Sequence, residues 1–288
     1  MGIIFKEILG CITARSAPDR RIGRICYWKN AQKDMVICMS IIHSFDSNSS
    51  EIISPQKVIE KIENFPETMI AAWSQKFASL LASLCELEQI SFMKGGAVIP
   101  IYQFHYKNQT FGFYQTLLGG SASGALLEEI IAKGAKNILF FGSCGSLDKE
   151  MTSGRIMIPT AAYRDEGTSY HYAPPSDYIE IKTAGKLAEI FDEMNIPYRK
   201  CRTWTTDSFY RETVNNMTAR KQDGCSVVEM ECASVMAVGA FRKANVYQFL
   251  YTADCLDSRE WNAGILGKMP DDLRLSILRI ALETAVRI

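Results

Sequence analysis

An apolar run without polar alternation constrains the fold more than any other feature of the sequence. Ile138–Phe141 read ILFF and are followed at once by the small residues Gly142, Ser143, Cys144 and Gly145. An unbroken run of this kind is typical of a strand buried on both faces, as in a parallel sheet covered by helices. Similar runs in TMIAAW, CSVVEM and VYQFLYTAD alternate with helical segments. This alternation predicts an α/β fold, a three-layer α/β/α sandwich around a mixed, largely parallel central sheet.

Turn and capping residues divide the rest of the chain into further elements. The strands VIPIYQFHY and TFGFYQTLL flank a turn at residues 107–109 and predict an antiparallel hairpin. Ser74 is the predicted N-cap of the helix SQKFASLLASL, and Gly134 is the predicted C-terminal cap of the helix that follows Gly120. Because no linker or repeat interrupts the pattern, residues 66–288 are predicted to form one domain.

Residues 1–65 are predicted to pack on this domain or on a neighbouring subunit. Strand-like segments at 22–28 and 35–42 precede a predicted helix from Pro55 to Glu63. No chemistry is assigned to the segment beyond its basic side chains, which fit a solvated face or an arm that contacts a neighbouring subunit. These are Arg15, Arg20, Arg21 and Arg24.

Composition excludes several classes of function. The 288 residues include 32 basic and 32 acidic side chains, so no global field attracts nucleic acid or an anionic membrane. The nine cysteines form no CxxC pair and only three histidines are present, which predicts free thiols and no metal site. No apolar stretch approaches the roughly 18 residues needed to cross a bilayer. A cytoplasmic protein is therefore predicted.

Four segments bring polar groups to the carboxyl ends of predicted strands, where ligands collect in sheets of this kind. They are residues 119–121, 142–145, 229–231 and 252–254. A buried carboxylate such as Glu231 is costly without donors, and it can accept two hydrogen bonds from a vicinal diol such as a ribose. The alternative for Glu229 or Glu231 is to cap the following helix or to pair with an arginine.

Asp254, Phe209 and Tyr210 extend this candidate site. A partly buried aspartate has a raised pKa and can donate a proton at neutral pH, although an aspartate at a strand end can equally cap a turn. Phe209 and Tyr210 offer an aromatic wall for a planar ring, or they pack in the core. The glycine loops supply backbone N–H groups that suit a phosphate or a sugar oxygen.

Taken in order, these segments resemble the type I nucleoside phosphorylase family. The matching stretches are GGSA, NILFFGSCGSLD, IPTAAYRDEGTSYHY, WTTDSFYRET, VVEMECASVMAVG and LYTAD. The family includes purine nucleoside phosphorylases, uridine phosphorylases and methylthioadenosine nucleosidases. The resemblance covers residues 68–288 and is most specific at the Glu-Met-Glu of residues 229–231. It implies a catalytic domain in which a nucleophile attacks the anomeric carbon of a nucleoside as the base departs.

The resemblance also implies a role for each matching residue. Glu231 is expected to bind the ribose 2′- and 3′-hydroxyls, with Met230 packed under the sugar and Glu229 beside them. Phe209 is expected to stack near the base and ribose, with Tyr210 in the same aromatic pair. The glycine loops line the sugar site through Gly119 and Gly120, and they hold the anionic nucleophile through Ser143, with Gly142 and Cys144.

Asp254 bears on the choice of base. It matches the aspartate that protonates the purine ring nitrogen in purine-specific members. Uridine phosphorylases lack an acid there and read the pyrimidine with a glutamine and an arginine, whereas RETVNN offers Arg211 but no glutamine. The stretch IPTAAYRDEGTSYHY is more similar to the uridine branch. A purine substrate is favoured, with uridine as the alternative.

Two departures from the family concern phosphate. Phe140 replaces an arginine on the strand before GSCG, and AAWSQKF, with Ser74 and Lys76, replaces a GDPxR loop. A phosphate dianion needs charged partners to offset its desolvation. Either other basic residues, such as Lys76 and the arginines of the first 24 residues, hold the phosphate, or the nucleophile is water.

The sequence thus predicts a homodimeric or homohexameric nucleoside phosphorylase. This is a pentosyltransferase of nucleoside salvage that uses phosphate as co-substrate and no cofactor. The alternatives are a hydrolytic nucleosidase, motivated by Phe140, and a nucleoside-binding protein without catalytic activity.

Overall fold

A ten-stranded mixed sheet forms the centre of the computed structural model, which describes residues 40–94, 97–151, 154–257 and 261–288. The strands are β1 (Thr68–Ala72), β2 (Glu88–Lys94), β3 (Val98–Tyr106), β4 (Gln109–Gln115), β5 (Asn137–Ser146), β6 (Ile156–Asp165), β7 (Tyr178–Glu180), β8 (Tyr198–Thr206), β9 (Cys225–Glu229) and β10 (Asn245–Cys255). The helices are α1 (Pro55–Val58), α2 (Lys76–Leu84), α3 (Gly120–Lys133), α4 (Ala184–Glu193), α5 (Val214–Gln222), α6 (Cys232–Arg242) and α7 (Asp271–Ala285).

Five of these strands close into a ring. β5 pairs with β10, β10 with β6, β6 with β8, β8 with β9, and β9 returns to β5. From β5 the sheet continues outward through β1, β4, β3 and β2. The α/β fold with a mixed sheet is therefore confirmed. The sheet is not largely parallel as predicted: among the described strands, antiparallel pairings are as numerous as parallel ones. The hairpin strands β2–β4 and the ring closures β9–β5 and β10–β6 supply most of the antiparallel pairs.

The apolar run that opens β5 is buried on both faces, as predicted. The Phe141 ring lies 4.7 Å from that of Phe77 and 5.5 Å from that of Phe249, measured between centroids. Phe140 points the other way, because successive side chains alternate along a strand, and its ring centroid lies 5.6 Å from that of Trp73. Packing on both faces fixes β5, whose carboxyl end carries residues 142–146.

Several element boundaries differ from the predicted ones. Ser74 is not the N-cap of α2: Gln75 takes that position, and Ser74 contributes its carbonyl to the N–H of Phe77 at 3.1 Å. The helix predicted from Pro55 to Glu63 ends at Val58, because Ile62 instead donates its N–H to the carbonyl of Lys133. Gly134 caps α3 as predicted, with a φ of 136°.

Residues 41–65, which belong to the described part of the N-terminal segment, pack on the domain. Glu51 forms an ion pair of 2.8 Å with Arg242, and the ring of Phe45 meets that of Phe241 edge to face at 6.4 Å. The prediction for residues 1–39, including the strand-like segment at 22–28 and most of that at 35–42, lies outside the described residues. No helix within the described ranges is long and apolar enough to span a membrane.

Two helical glycines form a matched pair for testing the packing of α6. A Cβ at Gly239 would lie 2.3 Å from Cγ2 of Val246, whereas a Cβ at Gly185 would meet no atom within 4 Å. Gly239→Ala should therefore lower the free energy of unfolding by about 1–3 kcal/mol through overpacking. Gly185→Ala should raise it by about 0.5 kcal/mol, since alanine restricts the unfolded chain. Urea denaturation of both variants checks this, and equal effects would contradict the close contact of α6 with β10.

Candidate active site

A cleft of about 830 Å³ opens at the carboxyl ends of β5, β9 and β10. Its lining includes most of the residues that the sequence singles out. They are Ser143, Cys144, Phe209, Tyr210, Glu229, Met230, Glu231 and Asp254. The cleft is completed by residues to which the sequence assigned no role. These are Leu118, Gly145, Glu212, Val214, Met217, Val228, Leu256, Trp261 and Leu266.

Glu231 stands at the N-cap position of α6, where β9 turns into the helix. Its side chain accepts a hydrogen bond from the N–H of Gly119 at 2.6 Å, and only 5% of the residue is exposed. Burial, together with the nearby charge of Glu229, raises the pKa of Glu231 to about 8. Gly119 has a φ of 91°, which favours glycine and lets the loop present its N–H to the carboxylate. The two loops are thereby joined in one site.

Glu229 has a different environment, although it is equally buried. One oxygen accepts from the hydroxyls of Thr203 and Thr205 at 3.1 and 2.6 Å. The other accepts from the N–H groups of Glu231 and Cys232 at 2.8 and 2.6 Å. Burial raises the pKa of Glu229 while these four donors favour its ionised form. Of the two readings left open by the sequence, this geometry matches the helix cap, which also fixes the direction of Glu231.

Asp254 reaches the cleft at an irregularity of β10, where the register against β5 shifts between Thr252 and Asp254. Its Oδ2 accepts a hydrogen bond of 2.7 Å from the indole N–H of Trp261. Burial raises the pKa of Asp254, and the Trp261 hydrogen bond opposes that rise. The side chain is thus oriented by an aromatic donor at the wall of the cleft.

The GSCG loop contributes unequally to the cleft. Ser143 is exposed and lines it, whereas Cys144 is buried and burial raises the pKa of its thiol well above the usual range. Gly142 lies against Trp73: a Cβ there would be 2.6 Å from the indole ring. Gly120 is similarly packed, with Oγ of Ser234 at 2.1 Å from a hypothetical Cβ. Gly120 and Gly142 are therefore positioned for packing and are not part of the cleft lining.

Phe209 and Tyr210 form an exposed aromatic pair, so the alternative of core packing does not hold. Their ring centroids are 4.0 Å apart, and they begin a short 3-10 helix that ends at Arg211. Phe209 is 44% and Tyr210 88% exposed. Both rings line the cleft and offer a flat apolar surface to a planar ligand.

The charge of the cleft is wholly acidic among the described residues. Glu212, Glu229, Glu231 and Asp254 line it, and no lysine, arginine or histidine in the described ranges does. Phe140, which replaces the expected arginine, is completely buried against Trp73. The described part of the cleft therefore suits hydroxyl and N–H donors better than an anion.

The raised pKa of Glu231 predicts a pH dependence of stability. The folded state holds its proton up to about pH 8, while the unfolded chain releases it near 4.5. This contribution is therefore fully present below pH 4.5 and is lost as the pH rises through 8. Relative to Glu231→Gln, the wild-type free energy of unfolding should fall by on the order of 1–3 kcal/mol between pH 5 and 8. Urea denaturation at intervals of one pH unit measures the difference, and parallel profiles would contradict it.

Several known proteins with a similar sequence or fold are purine nucleoside phosphorylases. The chain is 29% identical over 195 residues to a purine nucleoside phosphorylase of Plasmodium vivax, covering 64% of this chain and 76% of the relative. It is 25% identical over 190 residues to a DeoD-type purine nucleoside phosphorylase of an Exiguobacterium species, covering 64% and 78%. The crystal structure of the Toxoplasma gondii purine nucleoside phosphorylase shares the fold, with a TM-score of 0.64, 18% identity, and 80% and 92% coverage.

The family resemblance seen in the sequence motifs is confirmed by a match to a whole-family sequence model. The sequence model of the phosphorylase superfamily matches residues 68–273, which is most of the chain. The match begins at the first residue of β1 and ends within α7, so it includes every described element that lines the cleft. The chain therefore belongs to the phosphorylase superfamily.

Proposed function

We propose that this protein cleaves the N-glycosidic bond of a purine nucleoside with phosphate, releasing the free base and ribose 1-phosphate. The observation that carries the proposal is the pair of oriented carboxyl groups in one cleft. Glu231 is held by the N–H of Gly119, and Asp254 by the indole N–H of Trp261. These two groups supply the two functions that the reaction needs, recognition of the sugar and protonation of the leaving base.

Glu231 acts at the sugar. In its ionised form, the carboxylate accepts hydrogen bonds from the ribose 2′- and 3′-hydroxyls while Gly119 holds it in place. Met230, which also lines the cleft, packs under the sugar ring. Glu229 fixes the turn before α6 and does not itself bind substrate, since both its oxygens are already engaged. The free cleft keeps Glu231 protonated up to about pH 8, and the two ribose hydroxyl donors shift it toward the ionised form. As positive charge develops on the ribose, the negative carboxylate then stabilises the transition state.

Asp254 acts at the base. The planar purine lies against Phe209 and Tyr210, whose exposed rings pair with no other aromatic ring in the described part of the chain. Asp254 donates a proton to a purine ring nitrogen, which turns a poor leaving group into a good one. Uridine offers no such basic ring nitrogen, so Asp254 favours a purine over uridine. The similarity to purine nucleoside phosphorylases supports the same choice.

Phosphate is the proposed acceptor and Ser143 its hydrogen-bonding partner in the cleft. The purine nucleoside phosphorylases to which this chain is similar support phosphorolysis. Within the described ranges, candidates for charge compensation such as Lys76 at the start of α2 are not among the residues that line the cleft. The arginines of residues 15–24 lie outside the described residues. The proposed reaction uses no cofactor, and a cytoplasmic homo-oligomer is part of the same proposal.

Hydrolysis is a second candidate, favoured by the acidic lining of the described cleft and by Phe140. Water needs no cationic partner, so a cleft of this charge can bind it without the desolvation cost of a phosphate dianion. The sugar and base would be recognised in the same way. Only the nucleophile at the anomeric carbon would differ.

One assay separates these functions. Release of free base from inosine, adenosine, uridine and methylthioadenosine is measured with and without inorganic phosphate. Phosphorolysis predicts cleavage of a purine nucleoside that depends on phosphate and yields ribose 1-phosphate. Cleavage at an equal rate without phosphate would replace phosphorolysis by hydrolysis, and faster cleavage of uridine would overturn the purine assignment. Binding of a nucleoside without cleavage in either condition would contradict both enzymatic functions.

A further inference from the structure

Glu212 is an acidic group of the cleft for which neither the resemblance nor the proposed function has a role. It follows the 3-10 helix of Phe209–Arg211 directly and lines the same cleft as Asp254. The residue is half-buried, and its carboxyl group forms no hydrogen bond with any described side chain or backbone group. A carboxyl group in such a place is available to a ligand.

Glu212 and Asp254 line the same cleft from different elements, Glu212 directly after the 3-10 helix and Asp254 within β10. Burial raises the pKa of Glu212 to about 7, and the negative charge of Asp254 contributes to that rise. The other ionisable side chains that line the cleft are Cys144, Tyr210, Glu229 and Glu231, none of which can carry a positive charge. Within the described ranges, no basic side chain lines the cleft to offset their charge.

In a cleft lined by both, the negative charge of one carboxyl group opposes ionisation of the other. Ionising both costs more than ionising either one, so the pair loses its protons in two separate steps. Asp254 has the stronger reason to ionise first, because its Oδ2 already accepts the indole N–H of Trp261. The second proton then stays on Glu212 up to a higher pH. An acid that retains its proton near neutrality is suited to general acid catalysis.

We infer that Glu212 and Asp254 together form the general acid of the active site, with Glu212 holding the proton that the leaving purine receives. This inference rests on the proposed function and adds a second catalytic group to it. The C1′–N9 bond breaks and its electron pair passes to the purine, which takes up the proton at N7. A phosphate oxygen forms the new bond to C1′. The phosphate group then releases one proton to solvent, and the carboxyl pair takes up one proton from solvent, so that the enzyme returns to its starting state.

The experiment compares two leaving groups. Inosine needs protonation of its base, whereas 7-methylinosine already carries a positive charge on the ring and needs none. Glu212→Gln should lower kcat/KM for inosine by about 10²-fold, the lower end of what general acid catalysis contributes. The same variant should change kcat/KM for 7-methylinosine less than threefold. In the wild type, activity on inosine should fall as the pH rises above about 7, and activity on 7-methylinosine should not.

Two further variants complete the design. Glu212→Gln combined with Asp254→Asn should lose little more activity on inosine than the more damaging single variant, because the two groups act as a unit. Glu193→Gln, an exposed change on α4, is the matched control and should behave as the wild type. Equal losses on inosine and 7-methylinosine, or no loss on inosine, would overturn the role of Glu212 while leaving the proposed function intact. A wild-type protein that cleaves neither nucleoside would overturn the proposed function and this inference with it.

Discussion

Replacing Glu231 by glutamine should lower kcat/KM for a purine nucleoside by about 10²- to 10⁴-fold. The carboxylate is proposed to accept two hydrogen bonds from the ribose, and each bond to a charged group contributes about 1.5–3 kcal/mol. Glutamine keeps the shape of the side chain and still accepts the N–H of Gly119, so the loss reflects charge and acceptor capacity. Steady-state kinetics with inosine measure the effect.

A substrate change tests whether Glu231 acts through the ribose hydroxyls. With 2′-deoxyinosine, one of the two hydrogen bonds is already missing, so Glu231→Gln should cost less than it does with inosine. The exposed Glu193→Gln provides the control for a Glu-to-Gln change that leaves the cleft untouched. Equal losses on both nucleosides would show that Glu231 supports the fold of the site and does not contact the sugar. Unchanged kinetics with inosine would contradict the site assignment as a whole.

Asp254→Asn should reduce kcat for inosine by about 10²- to 10⁴-fold, the range that a positioned general acid contributes. The asparagine can still accept the indole N–H of Trp261, so the orientation at the end of β10 is retained. The substitution removes the negative charge that keeps Glu212 protonated. It also removes the carboxyl group that passes the proton to the base. The measurement is the single-turnover rate of base release, which separates chemistry from product release.

The controls for Asp254 address its partner and its charge. Asp177→Asn makes the same chemical change at an exposed position and should leave kcat unchanged. Trp261→Phe removes the indole donor but keeps the carboxyl group, and should cost less than Asp254→Asn. A larger loss in Trp261→Phe than in Asp254→Asn would mean that the indole contacts substrate directly and that Asp254 is there to orient it.

The parts of the site that follow a buried strand were predictable from sequence. An apolar strand that ends in a carboxylate must deliver that carboxylate to the edge of the sheet, and this places Glu231 and Asp254 in one cleft. The family resemblance then gave each of them a role. Residue type alone left core packing open for Phe209 and Tyr210, and the structure shows both exposed in the cleft lining. Their expected place beside the base stays a prediction.

Other parts of the site depend on tertiary contacts that no local pattern reports. Glu212 lies two residues after Tyr210 in a polar stretch, and only the fold shows that it lines the same cleft as Asp254. Trp261 lies in a loop after β10 with no periodicity to mark it. A signal was nevertheless present for both, since each lies within seven residues of a predicted site residue. Gly120 and Gly142 were predicted to line the site, but close packing explains both glycines. In the sequence, a glycine required by packing cannot be told from one required by a ligand.

The strands also divide into those that the sequence predicts and those that depend on a neighbouring strand. β5 and β10 were found because both faces are buried, which leaves an unbroken apolar run. β2 was missed because it is an edge strand with mostly exposed side chains, and its sequence EQISFMK lacks regular alternation. β7 has only three residues and exists through its pairing with β6. Elements stabilised by a neighbour instead of by their own pattern are the ones that sequence reasoning cannot find.

The contact between Phe140 and Trp73 also limits how such a site can change over time. An arginine at position 140 would place a charge where the indole ring now packs, and the same indole lies over Gly142. A cation on this strand therefore requires a smaller residue at position 73 as well. A smaller residue at 73 alone would leave a cavity, and an arginine at 140 alone would be buried without a partner. The two positions are therefore epistatic. Any single-step route between a protein with phenylalanine at position 140 and one with arginine there passes through an intermediate less stable than both.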